Sequence, residues 1–126
     1  MSQVQKCADL LQAVSDVNRL RILKCLQLRS ACVCEIVQAT DIPQPRVSRH
    51  LGILRQAGLV RTARDGQWVE CACVGDDASP QVKALLDFVV NWVEDSDEVA
   101  LDRQRLDKAT RQPSMAKQSE SQEEGL

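Results

Sequence analysis

A mainly α-helical chain carrying one β-hairpin is the fold class the sequence predicts. Three observations carry it. Apolar residues recur at helical spacing in successive segments up to Val93, and Ser, Pro and Gly punctuate the gaps between those segments. One stretch breaks the helical pattern, where Asp65-Gly66 separates two alternating runs, a strong short-range hairpin signal. The 126 residues are a single-domain length, and 44% hydrophobic content supports one modest core. Only 2% are aromatic, so that core is aliphatic.

Taken in order, Val4, Cys7, Ala8, Leu11 and Val14 place a first helix over residues 3–14. Asp16 or Asn18 can cap a second helix that turns Leu20, Leu23 and Leu26 inward. Ser30 precedes a short third helix, "ACVCEIVQA". The prolines of "TDIPQP" force a turn, and Pro45 suits the first turn of a fourth helix with Val47, Leu51 and Leu54 on one stripe. Gly58 is placed to end it. After the hairpin, Ser79-Pro80 opens a further helix, capped by the hydroxyl. Val82, Leu85, Leu86, Val89, Val90 and Val93 make that helix apolar over a broad face, part of which reads as a dimer face. Residues 1–95 therefore form one domain, and 96–126 a polar tail. In that tail Val99, Leu101 and Leu106 extend the helix weakly, and disorder is expected after 113.

Charge is unevenly spread although the net is only −2. Between Gln44 and Gly66, five arginines face Asp65 alone, whereas seven acids outnumber three bases between Asp87 and Lys108. A basic middle points to a polyanion partner for that segment. No apolar run is long enough to span a bilayer, and the N-terminus lacks a charged-then-apolar leader, so a cytoplasmic location is expected. In a reducing compartment six cysteines point to metal or redox chemistry rather than a disulfide framework. Cys32/Cys34 and Cys71/Cys73 make two Cys-x-Cys pairs where random placement gives about 0.3. An enzyme is disfavoured: there is no Cys-x-x-Cys, no Gly-rich phosphate loop, and His50 is the one histidine.

Short helices, a tight turn, a basic helix and a hairpin with a basic tip compose a winged helix-turn-helix. Its second helix enters the major groove with its N-terminal residues near base edges. Gln44, Arg46, Ser48, Arg49 and His50 fall there, and Arg and Gln are the side chains suited to guanine and adenine. Arg61, Arg64 and Gln67 flank the hairpin tip, in reach of phosphate or the minor groove. His50 also adjoins the apolar stripe and can instead be a packing residue.

The segments "DVNRLRIL", "CVCEIV", "QPRVSRHLGILRQAGLV" and "RDGQWV", in this order and spacing, resemble the arsenic-responsive (ArsR/SmtB) family of metal-sensing repressors, its arsenite-sensing branch most of all. That resemblance runs from about residue 8 to residue 93. It implies a winged-helix homodimer joined through its first and last helices, which binds operator DNA when free and leaves it when metal binds. It also implies that Ser48, Arg49 and His50 lie in the recognition helix and Arg64 to Gln67 at the wing tip.

Thiolates are the ligands of soft ions, and a thiol pKa falls near a helix N-terminus, where Cys32 and Cys34 lie. A shared ion draws two sulfurs within roughly 4 Å. On an ideal helix i,i+2 side chains diverge, so sharing requires the first turn to unwind, and that misfit is the expected switch. The arsenite-type box ends in a third cysteine where this chain has Val37. Cys7, from the same or the partner chain, or less readily Cys25, is the candidate third ligand. Cys7 lies on an apolar stripe, however, and reads better as core or dimer packing than as a ligand. Cys71 and Cys73 share a strand face with the phase of Val69, which suits small core residues better than a second soft-metal site or redox pair. The last helix lacks histidine, which argues against a zinc or nickel site of the kind some relatives carry there. The expected function is a repressor released from its operator by arsenite or antimonite at Cys32 and Cys34. Cadmium, lead, or a thiol redox or persulfide signal is the alternative at the same pair.

Overall fold

The computed structural model describes residues 2–113, and the winged helix-turn-helix is its architecture. Helix α1 spans Gln3–Val14 and α2 spans Val17–Leu28. A two-residue strand β1, Ala31–Cys32, runs directly into α3, Val33–Thr40. After the turn at residues 41–43 comes α4, Gln44–Gln56, then β2, Val60–Asp65, and β3, Trp68–Cys73. Two more helices follow, α5 over Pro80–Trp92 and α6 over Asp97–Lys108.

Local chemistry accounts for most of these boundaries. Asp16 caps α2 by accepting from the Arg19 amide at 3.0 Å, so of the two candidate caps it is the one used. Pro45 sits in the first turn of α4, and Gly58 follows that helix at φ 81°, a left-handed conformation suited to glycine. Ser79 caps α5 through the Val82 amide. In the hairpin Asp65 pairs with Trp68, so the turn consists of Gly66 and Gln67. It therefore lies one residue later than an Asp-Gly turn, with Gly66 at φ 65° at its first central position.

Two features differ from the sequence reading. Strand β1 was not expected. It adds a third strand in the order β1-β3-β2, with Ala31 opposite Cys71 and Cys32 opposite Glu70. The segment after Asp95 does not prolong α5. The chain turns, and Ser96 caps a separate helix through the Val99 amide. Asp97 and Glu98 at the start of α6 and Arg105 and Lys108 at its end complement the helix dipole. The helix lies over α3 and α2 and buries Val99, Leu106 and Ala109. Burying a Val or Leu side chain contributes about 1.5–3 kcal/mol each, enough to dock an otherwise polar helix. The disorder expected after 113 falls outside the described residues.

The core is aliphatic, as the composition implies. Ile22, Leu23, Ile36, Val47, Leu51, Leu54 and Leu59 from α2, α3, α4 and the loop before β2 form its centre. Val4, Leu11, Phe88 and Trp92 remain exposed on α1 and α5, with Phe88 and Trp92 edge to face at 5.2 Å.

Candidate nucleic-acid interface and thiol site

The outer face of α4 presents Arg46 and Arg49 to solvent. The other three recognition-helix candidates do not share that exposure: Gln44, Ser48 and His50 are buried at 7%, 6% and 4%. His50 points toward α2, where its Nδ1 lies 3.2 Å from Arg19 Nη1. Since guanidinium can only donate, His50 Nδ1 is the acceptor and the ring is the neutral Nε2–H tautomer. Burial is the main reason its pKa lies below 6.5; Asp16 opposes the shift, and Arg19, Arg49 and Arg46 add to it. Its place three residues after Val47 and four before Leu54 is the signal for an inward face. Arg19 also donates to the Ala13 and Gln12 carbonyls, so it ties the end of α1 to α4.

On the wing, Arg61 and Arg64 are exposed and Gln67 is half-buried in the turn. Arg61 pairs with Asp77 at 2.7 Å, a contact that holds the Asp77 carboxyl below its usual range. A wing residue outside the sequence candidates is supplied from the far end of the chain. Arg111 binds Asp65 at 2.9 Å and Glu70 at 3.0 Å and lies 5.2 Å over the Trp68 ring. Its only forerunner in the sequence is the spacing of Val99, Leu106 and Ala109, which docks the helix that delivers it.

The thiol pair lies at the β1–α3 junction. Cys32 is the N-cap of α3, with extended backbone at φ −80° and ψ 160°, and Cys34 is in the first turn. The two are therefore not at i,i+2 of a regular helix. That removes the need for the helix to unwind before they can converge, and with it the strained-turn switch. Glu35 holds the junction by accepting from the Cys32 amide at 2.9 Å. Arg29 in turn donates to Glu35 at 3.1 Å and to the Leu106 carbonyl of α6 at 3.0 Å.

Both thiols are sealed, Cys32 at 1% and Cys34 at 0% exposure. The expected fall in pKa at the helix start is not what Cys32 experiences. Burial pushes its thiol up to about 11, against the opposing charge of Arg111. Cys25 is likewise buried, pushed up to about 12, and Cys73 is pushed up to about 11. Cys7 is exposed on α1. Among the described residues no three Cys, His, Asp or Glu side chains converge as a metal site, so neither Cys7 nor Cys25 of the same chain completes one with the pair. Cys71 is a fully buried core residue opposite Ala31 and Thr62, and Cys73 Sγ donates to the Leu23 carbonyl at 3.6 Å. No helix of the described residues is long and apolar enough to cross a membrane.

A model of the bacterial regulatory proteins of the arsR family matches residues 16–62. An HTH-type transcriptional regulator of Methanocaldococcus jannaschii is 38% identical over 88 residues, which cover 69% of this chain and 98% of that protein. The arsenical resistance operon repressor of Escherichia coli K12 is 41% identical over 62 residues, 48% of this chain. That match spans about half the relative's own length, 53%. Among solved structures, reduced HlyU from Vibrio cholerae superposes with a TM-score of 0.60 at 30% identity, covering 71% of this chain and 90% of that one.

Proposed function

This chain belongs to the arsR family of bacterial regulatory proteins and is a DNA-binding transcriptional regulator; from that premise we propose a repressor that trivalent arsenic or antimony releases from its operator by binding Cys32 and Cys34. The observation that carries the reading is the pair itself: two thiols at the start of α3, the helix that the turn at residues 41–43 joins to the one whose outer face carries Arg46 and Arg49. Thiolate ligands select soft ions. The likeness to an arsenical resistance operon repressor supports the same ion.

DNA contact is assigned first to Arg46 and Arg49 in the major groove, with Arg64, Gln67 and Arg61 at the wing. Gln44 and Ser48, both buried in the first half of that helix, are assigned at most a secondary role at phosphate. His50 holds α4 against α2 instead of reading bases. The working unit is a homodimer, for which the exposed Val4, Leu11, Phe88 and Trp92 of α1 and α5 supply a natural apolar seam. In that dimer an exposed Cys7 of the partner chain, or a small anion, fills the third position on arsenic.

A pair of thiols with no third ligand beside it among the described residues also suits a cadmium or lead response, or a redox or persulfide switch. Anisotropy of a labelled duplex from the chain's own upstream DNA, titrated with arsenite in reducing buffer, separates these. Release that Cys32→Ser and Cys34→Ser abolish is the expected result. Binding indifferent to arsenite but released by cadmium, or by oxidant and restored by dithiothreitol, would move the assignment to the second reading.

A further inference from the structure

The C-terminal strap formed by α6 and residues 109–111 touches both the thiol junction and the wing. Its hold on α3 is specific. Gln38 donates to the Cys34 carbonyl at 3.0 Å and to the Thr110 carbonyl at 2.7 Å, and its Oε1 accepts from the Thr110 amide at 3.2 Å. One residue on, Arg111 reaches the hairpin, where it binds Asp65 and Glu70 and covers Trp68. Glu70 is the strand partner of Cys32. Further back, Arg21 donates twice to the buried Asp102, at 3.0 and 2.9 Å, and once to the Thr40 carbonyl at the end of α3. The thiols are sealed in this arrangement, and α6 is the element packed most extensively over the helix that carries Cys34.

We infer that this strap transmits thiol occupancy to the wing: a ligand or reagent reaches Cys32 and Cys34 only when α6 lifts, and lifting α6 withdraws Arg111 from Asp65, Trp68 and Glu70. Two states follow. In the closed state the thiols are covered and the hairpin carries a guanidinium that offsets its two carboxylates. In the open state the thiols are accessible, and Asp65 and Glu70 stand uncompensated on a surface that meets phosphate, which disfavours DNA. DNA and thiol ligand then oppose each other, and linkage makes the opposition reciprocal. The inference rests on Cys32 and Cys34 being the effector site. It does not depend on which agent they bind.

The test uses the full chain and reads the alkylation rates of Cys32 and Cys34 with iodoacetamide, resolved by peptide mass, with and without duplex DNA at ~50 mM salt, where even non-specific binding is measurable. For the wild type, DNA slows both cysteines by ~5-fold or more, while exposed Cys7 serves as the internal reference. In Arg111→Gln the protection collapses and the duplex binds more weakly by a similar factor. Glu70→Gln, which loosens the same contact but also removes a carboxylate from the surface that meets phosphate, lowers the protection without the loss of duplex affinity seen in Arg111→Gln. No protection in the wild type, or equal protection in wild type and Arg111→Gln, overturns the inference. An arsenite arm keeps the two proposals apart. Protection that depends on Arg111 while arsenite leaves DNA bound sustains the strap and sinks the inducer. Equal release of wild type and Arg111→Gln by arsenite does the reverse.

Discussion

Replacing Asp102 by Asn keeps the shape of the side chain and removes its charge. Asp102 is 3% exposed and is the anchor by which α6 grips Arg21 on α2, with both carboxylate oxygens occupied. Breaking a buried ion pair costs roughly 3–5 kcal/mol when the remaining charge is stranded. Here Arg21 keeps the Thr40 carbonyl at 2.7 Å and Asn18 Oδ1 at 3.2 Å, and its side chain is 21% exposed. An Asn can also accept one of the two lost bonds. The cost of docking α6 is therefore set lower, near ~2 kcal/mol for the weakened charge-assisted bonds. At 1.4 kcal/mol per factor of ten, undocked α6 becomes ~30-fold more populated. Since α6 packs over the helix that carries Cys34, the Cys34 alkylation rate is expected to rise by the same order while exposed Cys7 reacts unchanged. The assay is time-resolved labelling with peptide mass detection on protein whose far-ultraviolet circular dichroism and melting are cooperative. If the variant is folded and Cys34 labels no faster than in the wild type, α6 does not guard the thiols.

Arg46→Ala and Arg49→Ala are each expected to weaken duplex binding, by ~1–3 kcal/mol if they read a base edge; a phosphate contact instead lowers the salt slope by about one, and anisotropy against salt distinguishes the two. For His50 the folded pKa lies below its unfolded value, so the unfolded chain takes up its proton first as pH falls. Its contribution is complete above ~pH 6.5 and is lost as pH drops through the lowered folded value. The melting temperature of the wild type should accordingly fall more steeply between ~pH 7 and ~pH 5 than that of His50→Gln; parallel slopes would contradict the buried neutral ring. Trp92→Glu places a charge in the apolar seam proposed for α1 and α5, and on that proposal sedimentation should report a shift from dimer to monomer at micromolar concentration.

The elements that could be read in advance are those whose signals are local. Ser79-Pro80, Pro45 and Gly58 act within one turn of their own position, and the helices they bound lie where the punctuation puts them. Strand β1 could not be read this way. Two residues carry no periodicity, and the strand exists only because β3 offers an edge beside Ala31 and Cys32. The same holds for α6. Its apolar residues are sparse, its composition is polar, and the burial of Val99 and Leu106 that docks it is joined by a contact from Arg21, 81 residues away in sequence from Asp102. The thiol site was legible as a pair but not as an environment. The spacing of Cys32 and Cys34 is visible, whereas the burial that pushes the Cys32 thiol up depends on tertiary packing, including the pairing of Cys32 with Glu70 on β3. For the recognition helix the reverse error arises. Polar residues early in α4 read as solvent-facing, yet Ser48 and His50, which flank the Val47–Leu51 stripe on either side, are buried.

With Cys32 and Cys34 as the proposed effector site, their burial gives the molecule a response time. A site open to solvent follows the surrounding concentration as fast as diffusion supplies it. One reached through the lifting of a helix held by Asp102, Leu106 and Thr110 follows only events that outlast the interval between openings. Brief pulses of a thiophilic agent would pass unrecorded, and sustained exposure would register in full. Closure over an occupied pair would then delay the return, so that the regulator averages its surroundings over time in both directions. The strength of the α6 contacts sets the length of that average.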